Sequence, residues 1–98
     1  MQADKQITGI DMNEKHIQYV LTIVQEGSFT AASKKLYVTQ PSLSQTIKLI
    51  ERDLGTPIFN RNTTPISLTS AGRKYVEAAQ KVINIRRDLR EEIMKKDA

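Results

Sequence analysis

The sequence has no cysteine and a single histidine, His16. Without thiols the chain forms neither disulfides nor thiolate metal sites, and one histidine cannot build a zinc site or a typical histidine-based catalytic group. A glycine-rich phosphate loop and a close pair of acids in an apolar context are also missing. We therefore expect no metal, no cofactor and no catalytic residue.

Long hydrophobic runs are missing as well. No apolar run approaches the roughly 20 residues needed to span a bilayer, and no signal peptide is recognisable. The hydrophobic share of 39% and the charged share of 27% are those of a soluble globular protein, and 98 residues allow one small domain. We expect a single cytoplasmic domain without a membrane partner.

The positive charge of the chain is unevenly distributed. Residues 1–27 carry more acidic than basic side chains, whereas residues 28–61 and 70–98 carry an excess of Lys and Arg. A surface that faces phosphates requires such a distribution. A charged face that is only solvated is the alternative interpretation.

Periodicity begins after residues 1–12, which show no helical or strand period and are expected to form a flexible leader. Asn13 is the predicted N-cap of a first helix, and Gly27 is its predicted end. The apolar residues at the helical i, i+3, i+4, i+7 spacing, predicted to form its buried face, are Ile17, Val20, Leu21 and Val24.

Two further helices with a tight turn between them are predicted in the stretch 28–54. Ser28 caps a short helix from Phe29 to about Leu36, and Thr39 caps a helix that ends before residue 55. This arrangement is typical of a helix-turn-helix, which lays its second helix in the major groove of DNA.

A helical wheel divides the third helix into two faces. Its core stripe consists of Leu43, Ile47, Ile50 and Leu54. The opposite face consists of Pro41, Gln45, Lys48 and Arg52, with Ser44 on its flank. Amides and hydroxyls at the start of the helix can reach base edges, and cations further along can meet phosphate. An ordinary amphipathic helix fits this wheel equally well.

Beyond Pro57 the period changes to two, and two short strands around Phe59 and Leu68 are predicted to form a hairpin. Thr69 then caps a long helix that runs to about Met94. An apolar stripe on that helix is predicted to be exposed and to pair with a second copy: Tyr75, Ala79, Val82, Leu89 and Ile93. The alternative is a solvated single helix.

The predicted fold is therefore mainly α. It consists of a winged helix-turn-helix at residues 13–69, with three helices and a small β-hairpin wing, followed by a long dimerisation linker helix at residues 70–98.

Four segments resemble, in order and spacing, the N-terminal DNA-binding domain of LysR-type transcriptional regulators. They are QEGSFTAASKKL, VTQPSLSQTIKLIERDLG, IFNR and LTSAG. The resemblance covers residues 12 to about 90. It implies a winged helix-turn-helix and a dimerising linker helix, in agreement with the periodicity.

The resemblance also implies roles for single residues. Gln40, Pro41 and Ser44 match positions that contact bases or the adjoining backbone, and Arg61 matches a wing arginine that reaches the flanking minor groove or phosphate. The complete expected DNA-binding set is Ser28, Thr30, Thr39, Gln40, Pro41, Ser42, Ser44, Gln45, Lys48, Arg52 and Arg61. For Ser28 and Thr39, helix capping is the expected main role.

Three positions depart from the family pattern. Gln45 stands where an arginine is frequent, and because Gln pairs with adenine N6 and N7, it suggests a preference for an A·T step. The wing turn, residues 62–65, lacks the usual basic residues. Leu49 replaces a usual polar residue and is expected either to pack against the wing or to be exposed.

Family members normally continue into an effector-binding domain of two α/β lobes, and no part of the chain matches it. We expect a portion of a longer bacterial regulator, whose small-molecule effector would bind in that missing domain. The expected function is sequence-specific binding of double-stranded DNA by a homodimer at an interrupted palindrome. The alternative is a protein-interaction module that pairs through the C-terminal helix without binding DNA.

Overall fold

The computed structural model describes residues 12–96, so the predicted leader, apart from Met12, lies outside the described residues. The elements, in chain order, are α1 (Glu14–Glu26), α2 (Phe29–Leu36), α3 (Gln40–Leu54), β1 (Phe59–Asn60), β2 (Ser67–Leu68) and α4 (Ser70–Lys96). This order confirms the predicted winged helix-turn-helix with a long C-terminal helix.

Within residues 12–96, each of the four helices begins at a side-chain cap. Oxygen atoms of four side chains accept a hydrogen bond from the backbone N–H three residues further on, at 2.8 to 3.2 Å: Asn13, Ser28, Thr39 and Thr69. These caps satisfy donors that the first helical turn leaves without a partner. All four positions agree with the prediction from sequence.

The buried face of α1 differs from the predicted one. Ile17 and Val20 are buried as expected, but Val24 is 39% exposed, while Ile23 and Tyr19 are buried. The helical spacing alone is compatible with either Ile23 or Val24 on the buried face of α1. In the structure Ile23 belongs to the core where α2 and α3 pack against α1, and Val24 lies outside it.

The first turns of α4 belong to the domain core. Tyr75 is 5% exposed and Ala79 is fully buried, so the prediction that they lie on an exposed pairing stripe was wrong. The spacing of apolar residues identifies an apolar face but does not show what covers it. Here the core of the domain itself covers Tyr75 and Ala79. A Cβ atom on Gly72 would collide with the carbonyl oxygen of Ile58, so the backbones of α4 and the wing are in direct contact.

The wing is a two-stranded antiparallel hairpin in which Phe59 pairs with Leu68. The Phe59 ring is buried and meets the ring of Phe29 edge to face, with centroids 5.8 Å apart. The peptide bond before Pro65 is cis. The base of the wing is thereby packed against the start of α2.

The second half of α4 leaves the domain. Val82 and Ile83 are partly buried against the core, but the large apolar side chains beyond them are 58 to 69% exposed, namely Ile85, Leu89, Ile93 and Met94. Across residues 12–96, no helix combines the length and apolar character that crossing a membrane requires.

Candidate nucleic-acid interface

The exposed face of α3 carries a shallow depression lined by Gln40, Pro41, Ser44, Gln45 and Lys48. The helix places them together because it repeats every 3.6 residues, while Leu43 and Ile47 hold the opposite face in the core. Amide and hydroxyl groups therefore lie side by side at the N-terminal end of this face. This chemistry suits the edges of bases.

Positive charge continues along the same face at Lys48 and Arg52, both of which are exposed. Within residues 12–96, neither of them takes part in an ion pair. Their charges are therefore not neutralised by a neighbouring carboxylate. Cations placed this way can meet phosphates on either side of a groove.

Two of the predicted contact residues have a structural role. The hydroxyl oxygen of Ser28 accepts from Ala31 N–H at 2.9 Å, and that of Thr39 accepts from Ser42 N–H at 3.2 Å. Each hydroxyl keeps its own hydrogen for donation. Thr30 lies exposed in the first turn of α2, so it stands beside the Ser28 cap.

Arg61, at the end of β1, is held by two contacts. Its Nη2 lies 3.4 Å from Oε1 of Glu51, and its guanidinium carbon lies 4.6 Å from the centroid of the Phe29 ring. The side chain remains 36% exposed. From residue 57 to residue 69 it is the single basic residue of the sequence, so it carries the positive charge of the wing.

Two residues were missed from sequence, and the structure decides between the alternatives left open for a third. Leu49 is 41% exposed, which decides between the two alternatives left open for it. Tyr37 lies in the turn before α3 with a left-handed backbone (φ 59°) and a side chain that is 95% exposed. Glu51 contacts Arg61 and the start of the wing, and the sequence pattern assigns it no role. An aromatic residue in the short turn between two helices could have drawn attention to Tyr37, but no local pattern indicates the partners of Glu51.

Comparison with known proteins agrees with this geometry. The family model of bacterial regulatory helix-turn-helix proteins of the lysR family matches residues 15–73. The uncharacterised HTH-type transcriptional regulator YcgK of Bacillus subtilis is 39% identical over 85 residues, which cover 87% of this chain and 26% of YcgK. The chain thus spans about a quarter of the length of such relatives.

Solved structures of the family have the same fold. Full-length LysG from Corynebacterium glutamicum superposes with a TM-score of 0.78 at 30% identity, covering 88% of this chain and 30% of LysG. The DNA-binding domain of BenM, solved in complex with catB site 1 DNA, superposes with a TM-score of 0.76 at 27% identity, covering 91% of this chain and 98% of that one.

The family match covers more than half of the chain and includes all of α2, α3 and the wing. The structural match extends to α4. The chain belongs to the LysR family of bacterial regulatory helix-turn-helix proteins.

Proposed function

We propose that this domain binds double-stranded DNA in a sequence-specific manner, with α3 in the major groove and the wing beside it. The observation that carries the proposal is the exposed face of α3. It combines base-reading amides and hydroxyls with two cations that have no acidic partner among the described residues. The relative solved as a DNA complex, BenM, shares the fold and supports the same mode of docking.

Within this mode, Gln40, Ser44 and Gln45 are the residues assigned to base edges. Lys48 and Arg52 are assigned to phosphates further along α3, and Arg61 to the DNA backbone beside the wing. The caps Ser28 and Thr39 fix the helix starts and can donate their hydroxyl hydrogens to phosphate as well. Thr30, Pro41 and Ser42 complete the contact surface.

The domain is further proposed to act as a homodimer through the second half of α4. Ile85, Leu89 and Ile93 follow one another every four residues, which places them on one face of the helix. Each of them is more than half exposed. Pairing with a second copy would remove this apolar surface from water and present two α3 helices to an interrupted palindrome.

Selection of bound duplexes from a random pool tests the proposal. Enrichment of a motif with two inverted half-sites is expected, and the affinity for that motif should fall steeply as salt rises, because neutralised phosphates release counterions. A pool that remains random after repeated rounds would refute sequence-specific binding. The unaltered 98-residue chain is suited to this experiment.

The alternative, a module that only pairs through its C-terminal helix, depends on the same exposed residues of α4. Salt separates the two functions. A helix pair held by apolar side chains persists at salt concentrations that abolish a phosphate interface. We further infer that a regulator containing this domain works in the cytoplasm, where its DNA is.

A further inference from the structure

Glu51 connects the recognition helix α3 to the wing. Its Oε2 accepts hydrogen bonds from the backbone N–H of Ile58 at 2.8 Å and from that of Phe59 at 3.4 Å. Its Oε1 faces Nη2 of Arg61 at 3.4 Å. With a side chain only 16% exposed, this carboxylate directs both of its oxygens to the first residues of the wing.

The guanidinium of Arg61 is thereby fixed on two sides. Its central carbon lies over the Phe29 ring, 4.6 Å from the ring centroid, and its Nη2 is directed to Glu51. An arginine has five N–H donors in a rigid planar fork, so fixing one face and one edge sets the direction of the remaining donors. The exposed part of the side chain is therefore presented in a defined orientation.

The rest of the wing tip offers no second cation and uses its own polar groups internally. Thr63 Oγ1 donates to the carbonyl oxygen of Pro65 at 2.9 Å and lies 2.9 Å from the hydroxyl of Ser67. The backbone N–H of Asn62 donates to the side chain of Asn60. The wing is thus a braced loop whose electrostatic attraction for DNA is concentrated in Arg61.

We propose that Glu51 is a positioning residue for DNA binding, which presets the Arg61 guanidinium so that its free edge meets a phosphate oxygen. This inference rests on the proposed function. It explains why α3, a helix proposed to face the DNA polyanion, carries the acidic residue Glu51. The carboxylate of Glu51 interacts with Arg61 and with two backbone N–H groups, and its side chain is only 16% exposed. A side chain already ordered before binding loses less conformational entropy in the complex.

The test is a double-mutant cycle in DNA affinity, measured by fluorescence anisotropy on the selected duplex with Glu51→Gln and Arg61→Ala. The glutamine oxygen can still accept from Ile58 and Phe59, but the charge that holds Arg61 is lost. Glu51→Gln alone is expected to weaken binding about two- to tenfold. In the Arg61→Ala background the same change should have no further effect, because no guanidinium is left to position.

Asp53→Asn is the matched control. Asp53 is an exposed acid on the same helix, and its replacement removes one negative charge without touching Arg61. Reduced repulsion should leave its affinity for DNA unchanged or slightly higher. Glu51→Gln behaving like Asp53→Asn would overturn the proposal, as would an equal loss with and without Arg61, which would indicate a structural role only.

Arg61→Lys provides a second arm if Glu51→Gln unfolds the domain. Lysine keeps the charge but has neither the planar face for Phe29 nor the fork for Glu51. A loss close to that of Arg61→Ala supports positioning, and wild-type affinity contradicts it. Absence of salt-dependent binding by the unaltered chain would refute the proposed function itself, whereas normal binding with an uncoupled Glu51 refutes only this inference.

Discussion

The backbone N–H of Ile66 donates to the carbonyl oxygen of Gly27 at 3.0 Å, which joins the wing to the turn between α1 and α2. Gly27 has a left-handed backbone (φ 75°), and a Cβ added there would lie 3.1 Å from the Cβ of Pro65. The turn thus needs glycine for its backbone and for the close approach of the wing.

Gly27→Ala should therefore destabilise the fold more than Gly55→Ala. Both alanines would have to adopt a left-handed conformation, at a cost of about 1–2 kcal/mol. A Cβ on Gly55 meets nothing within 4 Å, whereas one on Gly27 crowds Pro65. Free energies of unfolding from urea titrations measure both. Equal losses of unfolding free energy in the two variants would show that the wing moves to accommodate the added Cβ without loss of stability.

Gln45→Ala is expected to reduce affinity for the selected duplex by about 1–3 kcal/mol and to have much less effect on random duplexes. The reason is that an amide can form two hydrogen bonds with one base edge. Gln45→Arg should shift the preferred base at that position from adenine to guanine. Competition titrations with duplexes changed at single positions measure both effects, and equal losses on all duplexes would reject base reading by Gln45.

Arg61→Ala should weaken binding on every duplex and lower the slope of log affinity against log salt by about 0.9, the value for one phosphate contact. The comparison variant is Lys81→Ala, a basic residue on α4 outside the proposed DNA contact surface. It should leave the slope unchanged. A slope that stays constant in Arg61→Ala would remove Arg61 from the interface.

Leu89→Glu combined with Ile93→Glu should convert dimers into monomers in sedimentation velocity, because two charges would enter an apolar contact. The charge-reversal control is Glu91→Lys, about 200° around the helix from Leu89. It should leave the dimer intact. If the double variant still forms dimers, this face of α4 does not mediate pairing. Tyr75→Glu, in contrast, is expected to unfold the domain, because Tyr75 is buried in the core.

The elements that depend on local chemistry could be predicted from the sequence. A cap such as Ser28 or Thr39 requires only a hydroxyl and an N–H three residues away, so residue type and spacing identify it. The turn glycines and the change of period at the wing are equally local. The helix bounds followed from these signals.

The features that depend on tertiary packing could not be predicted in the same way. Tyr75 and Ala79 have the spacing of an exposed stripe, but their burial is decided by how the first turns of α4 meet the domain. Glu51 and Arg61 are ten residues apart, and their contact exists only because the chain turns back at Pro57. Spacing shows which residues share a face, and the fold decides what that face meets.

Gly72 lies directly against the carbonyl oxygen of Ile58, and Tyr75 and Ala79 are buried in the core, so the first turns of α4 pack closely on the winged domain. The rest of α4 extends from the domain as an arm, on which Ile85, Leu89 and Ile93 are exposed. In the proposed homodimer, any change in the angle at which two such arms cross would be magnified into a displacement of the two α3 helices. The crossing angle of the two α4 helices would then set the spacing between half-sites that the proposed dimer accepts.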